Sequence, residues 1–258
     1  MTHWGRRLRL WCSTWWQVVM LGAEILVMAL TPSSYATGPR RQTVLVHIVQ
    51  ATAPLLTGFL VLSALISVVL IRIVVATALS YGLSQYALDV LVRTLVLELI
   101  PLYAAMFVAA RYAMPGAQQV REQLSAHQRA GQALGKGVLL TTELLPRALA
   151  SMFSVLMLAA LSCVLALVLT YVTVYGFSLW GLWGYTHSVG QVFTPAVTLI
   201  FALKTLFFSL AVAVVPLAGS AQQDAHGLYA QRSDISEFAR LFSVVLLIEV
   251  LSLVGNYY

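Results

Sequence analysis

The chain has 258 residues, 60% of them hydrophobic and 9% charged, with a formal net charge of +6 and a mean hydropathy of +0.87. Soluble domains carry about 25% charged residues, so a water-soluble fold of this size cannot hide so much apolar surface, and lipid must solvate most of it. The apolar runs are long and unbroken, not short and alternating, which excludes a transmembrane β-barrel and leaves a polytopic α-helical membrane protein.

The first element is predicted over residues 1–30. Trp4, Leu8, Trp11, Trp15 and Val18 fall on one helical face, and Arg6, Arg9, Ser13, Gln17 and Glu24 fall largely on the other. A tryptophan-rich face opposite a basic one is the pattern of a helix lying in the membrane interface. Its second half, "VVMLGAEILVMAL", is apolar enough to dip deeper, so a full span is the alternative. No apolar run ending in an A-x-A-like site follows the basic start, so no cleavable signal peptide is expected. "TPSSYATGPRR" then reads as a linker.

A span needs about 20 apolar residues. Five are predicted: Val44–Thr77, Tyr86–Ala110, Leu149–Tyr175, Phe193–Gly219 and Phe238–Asn256. The first exceeds one membrane thickness, so it either projects beyond the bilayer or bends at Pro54 or Gly58. The connection over 112–146 is the largest polar piece and is helix-compatible in "GAQQVREQLSAHQRAGQAL".

Basic residues set the topology. Arg6, Arg7, Arg9, Arg40 and Arg41 precede the first span; Arg111, Arg121, Arg129, Lys136 and Arg147 lie between the second and third; Arg232 and Arg240 lie between the fourth and fifth. "ALSYGLSQ" and "GFSLWGLWGYTHSVGQ" hold no Lys or Arg. The N-terminus is therefore expected in the cytoplasm and the C-terminus outside. A spanning first segment would put its basic residues on both sides, which favours the interfacial reading. Trp180, Trp183 and Tyr185 are expected in the outer aromatic belt.

Catalytic patterns are weak. "GQALGKG" (Gly131–Gly137) has three residues between its first glycines where a phosphate loop has four, and glycine where that loop needs Ser or Thr for Mg²⁺. His3, His47, His127, His187 and His226 show no ligand spacing, so no metal site is expected. Cys12 and Cys163 imply no disulfide framework. No catalytic residues are predicted, and no enzyme activity is expected of this chain.

Charge inside the spans is the informative feature: Arg72, Arg93, Glu98, Lys204 and Glu249. Such groups are costly in hydrocarbon and face a bundle interior, a cavity or a partner charge, or else snorkel to the headgroups. Glu98 stands three residues before Pro101, which frees the carbonyl of Leu97. A polar, irregular patch is tolerated in a span where it lines a cavity or is buried in protein. Glu98 is therefore expected at a cavity or subunit interface, not against lipid.

"LELIP" (Leu97–Pro101) resembles the R-E-L-G-P motif of the MlaE/YrbE permease family, the membrane subunits of ABC transporters that move lipids with MCE-domain proteins. "AAR" (Ala109–Arg111) is similar to the family's A-G-R, "PR" (Pro146–Arg147) ends a polar stretch of the family's usual length, and "LKTLFF" (Leu203–Phe208) is similar to L-I-K-S-x-x-F, with Lys204 matching. Glu249 falls where the family often has Asp. The resemblance covers roughly 42–256. It departs at Leu97 and Ile100, which replace the motif's arginine and glycine, and at Ser67 and Ile71, which stand where the family tends to have glycines. In the polar stretch Gln119 stands at a position where the family is acidic, His127-Gln128 replaces a Glu-Gln pair and Val138-Leu139 an Asp-Pro, leaving Glu122 as the nearest acid.

The resemblance implies an all-α membrane fold: an interfacial elbow helix, five spans, and a cytoplasmic coupling helix between spans two and three. It implies a homodimer in a bacterial inner membrane, N-terminus cytoplasmic and C-terminus periplasmic. Its partners would be a cytoplasmic ABC ATPase (MlaF-like), a hexameric periplasmic MCE-domain protein (MlaD-like), a STAS-domain protein (MlaB-like) and phospholipid, with no nucleic acid. ATP and Mg²⁺ would belong to the ATPase, and this chain would carry no cofactor. Leu70, Tyr81, Glu98 and Pro101 match positions near the family's lipid cavity. Arg72 is added from charge alone, as a possible partner for Glu98 or a lipid phosphate. Gln119, Arg121, Glu122, His127 and Gln128 would form the ATPase-coupling surface. Two rival readings stand beside this one. The altered acidic pattern suits a passive scaffold that anchors an MCE ring. The buried charges suit an ion-coupled secondary transporter, although no internal repeat or matched pair of broken spans is visible.

Overall fold

The computed structural model of the chain describes residues 16, 18–29, 31, 38–130, 136–220 and 234–257. The tryptophans of the expected interfacial face (Trp4, Trp11, Trp15), most of the 31–41 linker and the 131–135 part of "GQALGKG" lie outside these. Every described element is helical, and no strand occurs among the described residues. In chain order the α-helices are α1 (Val18–Ala29), α2 (Gly38–Ser80), α3 (Ser84–Leu91), α4 (Ile100–Val108), α5 (Met114–Arg129), α6 (Lys136–Leu139), α7 (Leu145–Tyr175), α8 (Leu182–Val192), α9 (Pro195–Ser220) and α10 (Asp234–Tyr257). Wider π-turns interrupt them at Val92–Leu99, Ala109–Ala113 and Leu140–Leu144.

Five helices are long and apolar enough to cross a membrane: Arg41–Ser80, Tyr86–Arg129, Leu140–Tyr175, Pro195–Ser220 and Ile235–Gly255. A short apolar helix, α1, precedes them. Pro54 lies inside α2 without ending it. The apolar run expected over Tyr86–Ala110 and the helix-compatible stretch after it are joined in one helix. It continues to Arg129, a 44-residue run, because the π-turn at Ala109–Ala113 and Pro115 at the start of α5 both leave the helix intact. Pro115 withholds one backbone N–H where the π-turn has already displaced the ladder, with Met114 N–H bonded to Ala109 O.

The chain divides into two units. The first draws on Met1–Ala51, Val108–Phe153 and Leu210–Val244. Its densest part is the end of α9, where residues 211–220 are all buried. That stretch, "AVAVVPLAGS", is rich in small side chains, which let neighbouring helices approach closely. Val18 and Ile25 of α1 are buried, and a Cβ on Gly22 would stand 3.1 Å from Val214 Cγ1. Val18, Gly22 and Ile25 share one helical face, so α1 lies against α9 along it. Met114, Ala117, Val120 and Leu124 form the buried stripe of α5, at the 3–4 spacing of an amphipathic helix.

The second unit draws on Thr52–Phe107, Ser154–Ser209 and Val245–Tyr258. Ile71 of α2, Val92 to Ile100 of the second span, Cys163 and Ala166 of α7 and Val192 of α8 build its core. Some of the polar side chains that enter these interfaces pair across them, whereas the buried hydroxyls of Ser67 and Ser162 have no hydrogen-bond partner among the described residues. Ser63 bonds Tyr103 at 2.7 Å, and Thr52 bonds Ser154 at 2.9 Å. Phe59 packs on Tyr103 and Phe107 with ring centroids 5.5 and 5.0 Å away.

The α2–α3 turn is closed by Gly82 at φ +70°. Leu83 N–H bonds Ala78 O at 2.8 Å and Gly82 N–H bonds Leu79 O at 3.2 Å, the paired bonds of a glycine-terminated helix end. Trp180 and Trp183 are 97% and 80% exposed, as an aromatic belt requires, but Tyr185 is 6% exposed. Its hydroxyl donates to Leu167 O at 2.8 Å and its ring meets Tyr171 and Tyr175. Burial, reinforced by Tyr175, pushes the Tyr185 phenol up to about 12, so it remains a donor.

Gly219 tests this packing. A Cβ there would stand 2.6 Å from Glu237 Oε1, and Glu237 is buried in an ion pair with Arg121. Gly219→Ala is expected to cost about 1–3 kcal/mol by overpacking, read as a lower thermal-unfolding midpoint of the detergent-purified protein. Ser220→Ala, one residue along, should shift it far less.

Candidate functional site

Glu98, Lys204 and Glu249 come together in the second unit. Lys204 Nζ donates to Glu98 Oε2 and stands 2.8 Å from Glu249 Oε2. The second approach is an ionic contact without hydrogen-bond alignment. Side-chain exposure is 1% at Lys204, 11% at Glu98 and 12% at Glu249. Lys204 also lies 5.8 Å from the centre of the Phe208 ring, within the reach of a cation–π contact.

The backbone prepares this position. The second span is widened into π-turns over Val92–Leu99, and Ile100 N–H reaches back to Leu95 O. Pro101 has no N–H to return to Leu97. Lys204 Nζ takes that carbonyl instead, at 3.3 Å. Cys163 Sγ makes a long contact, 3.8 Å, to the neighbouring carbonyl of Val96. One irregular stretch of helix thus offers a carboxylate and a carbonyl to a lysine on α9. π-turns of this kind recur at functional sites.

The expected cavity residues separate. Glu98 and Pro101 are buried together at the triad, and Leu70 is half-buried against the same core. Tyr81 is 76% exposed in the α2–α3 turn. Arg72 is exposed and makes no ion pair among the described residues. It is not the partner of Glu98; Lys204 is. Ile71 takes the buried face of α2 at 0% exposure, and the next residue on a helix points about 100° away. The pairing of Lys204 and Glu98 crosses 106 residues, a separation no periodicity reveals.

Arg93 pairs with Asp89 one turn before it, beside a cavity of about 860 Å³. A smaller hollow of about 360 Å³ lies between α9 and α10, lined by Lys204, Phe207 and Leu251 among others. Asp89 carries no motif, and only its i, i+4 spacing to Arg93 could have marked it.

In the first unit, Gln119, Glu122 and His127 are exposed on α5, and Gln128 is half-buried. His127 Nδ1 is 2.8 Å from Gln123 O. Arg121 differs from its expected neighbours on the coupling surface. Its guanidinium turns inward to Glu237, which is 3% exposed. Arg121 ties α5 to the start of α10. Glu237 was not singled out by sequence, because it precedes the last apolar run and matches no motif.

The sequence profile of the family described as Permease MlaE matches residues 44–251, most of the chain. No curated protein matches it.

The triad yields a direct test. Lys204→Met strands two buried carboxylates and is expected to cost about 3–5 kcal/mol. Adding Glu98→Gln and Glu249→Gln to it should recover most of that loss. Thermal unfolding of wild type, the single variant and the triple variant in one detergent checks the ordering.

Proposed function

The chain belongs to the MlaE permease family, and on that premise we propose that it is the membrane subunit of an ABC complex that moves phospholipid to or from a periplasmic MCE-domain protein. The family match over 44–251 carries this reading. The cytoplasmic ATPase binds ATP and Mg²⁺ and supplies the work, and this chain turns a docking motion into a change of shape.

Three features support the parts. The exposed apolar face of α2, with Val61, Leu65, Val68 and Val69, suits burial against a second copy in a homodimer. The exposed face of α5, with Gln119, Glu122 and His127, suits a groove on the ATPase. A rigid helix transmits rigid-body motion, and α5 is continuous with the second span. Glu98, at a widened and proline-marked point of that span, suits the wall of a lipid path.

The passive-scaffold reading keeps one specific observation in its favour: Glu122 is the only acid on α5. An ATPase docked through that single acid would be held weakly.

Affinity purification of the tagged chain in mild detergent, with mass spectrometry of proteins and lipids, is expected to recover an ABC ATPase, an MCE-domain protein and phospholipid. Recovery of the MCE protein without an ATPase would support the scaffold and overturn ATP coupling. In the reconstituted complex, Glu98→Lys is expected to abolish lipid transfer, because it sets a second buried cation against Lys204. Transfer that survives a Walker-motif mutation in the ATPase would also favour the scaffold.

A further inference from the structure

The cavity of about 860 Å³ in the second unit shares no lining residue with Leu70, Arg72, Tyr81, Glu98, Pro101 or Lys204. It sits where three spans end or begin: Val75 and Leu79 close α2, Tyr86, Asp89 and Arg93 open the second span, and Thr173 lies near the end of α7. Residues at span ends meet the membrane at headgroup depth. The volume falls within the roughly 300–1,000 Å³ of small-molecule sites.

Its charged pair is only partly spent. Arg93 donates through Nε alone, to both oxygens of Asp89 at 3.1 Å. A guanidinium has five N–H donors, and the two terminal nitrogens of Arg93 have no partner among the described residues. Asp89 accepts from that one N–H and keeps further lone pairs. Side-chain exposure is 36% for Arg93 and 48% for Asp89, so both are reachable. An exposed i, i+4 pair adds little to the fold, and a ligand can lie across it at little expense. The Thr173 hydroxyl also has no hydrogen-bond partner among the described residues.

We propose that this cavity binds the headgroup of a zwitterionic phospholipid, its phosphate on the terminal nitrogens of Arg93 and its ammonium on Asp89. Arg is the side chain suited to two parallel bonds to a phosphate. The Asp89 carboxylate accepts from the ammonium, and the Tyr86 ring offers a cation a face. Asp89 also repels the surplus negative charge of an anionic headgroup. Val75 and Leu79 supply the apolar wall that the glycerol and upper acyl carbons need, which favours a lipid over a soluble phosphoamine. The proposal rests on the chain being in contact with lipid and not on ATP-driven transport, so binding tests it even where no ATPase is recovered.

The test is native mass spectrometry of the full chain, with whatever subunits copurify, titrated with dioleoylphosphatidylethanolamine or dioleoylphosphatidylglycerol. Wild type is expected to hold the ethanolamine lipid about tenfold more tightly, the worth of one charge-assisted hydrogen bond. Asp89→Asn, which keeps shape, should erase that preference, and Arg93→Gln should weaken both lipids. Leu79→Trp should weaken both by filling the cavity while leaving the ion pair, and Glu98→Gln should change neither. Equal binding of the two lipids by wild type would overturn the proposal, as would a wild-type preference retained by both the Asp89 and Arg93 variants. Displacement of the lipid by equimolar O-phosphoethanolamine would assign the cavity to a soluble ligand and overturn the lipid.

Discussion

A lysine ammonium that is 1% exposed in the second unit of a membrane protein constrains everything near it. Moving one charge from water to a low-dielectric interior costs several kcal/mol even after relaxation. Lys204 offsets this with two carboxylates, a carbonyl and an aromatic ring. Each comes with a structural requirement. Glu98 must sit on a helix that approaches α9 closely, Glu249 must come from the last helix, and Leu97 must have a carbonyl to spare. The lysine therefore holds three separate helices of the second unit in one register, which dispersion forces between apolar helices do only loosely.

The spare carbonyl shows how local and tertiary structure agree. A proline inside a helix ordinarily weakens it by about 3 kcal/mol. Here Pro101 sits just after a π-widened stretch whose hydrogen bonds are already displaced. The group it orphans is taken by Lys204, so the defect becomes a binding position. The same stretch carries Val92, Leu95, Val96 and Leu97 into the core, so the irregularity is anchored and not a loose point.

Much of the fold was legible in sequence because lipid imposes a length and a composition. Five apolar runs of sufficient length became five long apolar helices, and the family motifs pointed to the profile that matches. Glu98 beside Pro101 also announced an unusual patch. What sequence could not supply was partner choice. Arg72 and Lys204 are both cations in spans, and only packing decides that one is exposed and the other buried against Glu98. Composition marked the apolar run to Ala110 and a helix-compatible stretch after it, but not that the two form one helix to Arg129. Tyr185 differs for a similar reason: aromatic type suits a belt, but its ring packs on Tyr171 and Tyr175 and its hydroxyl bonds the Leu167 carbonyl.

The two sides of α5 carry different obligations. Its inner side holds Val120, Leu124 and the Arg121 link to buried Glu237, while Gln119, Glu122 and His127 look outward. Substitutions at exposed helix positions usually change stability by less than about 0.5 kcal/mol. The outward side is thus a nearly neutral canvas for mutation: acids can be lost or regained there without endangering the fold. The sequence of that outward side can drift while the scaffold beneath it stays the same.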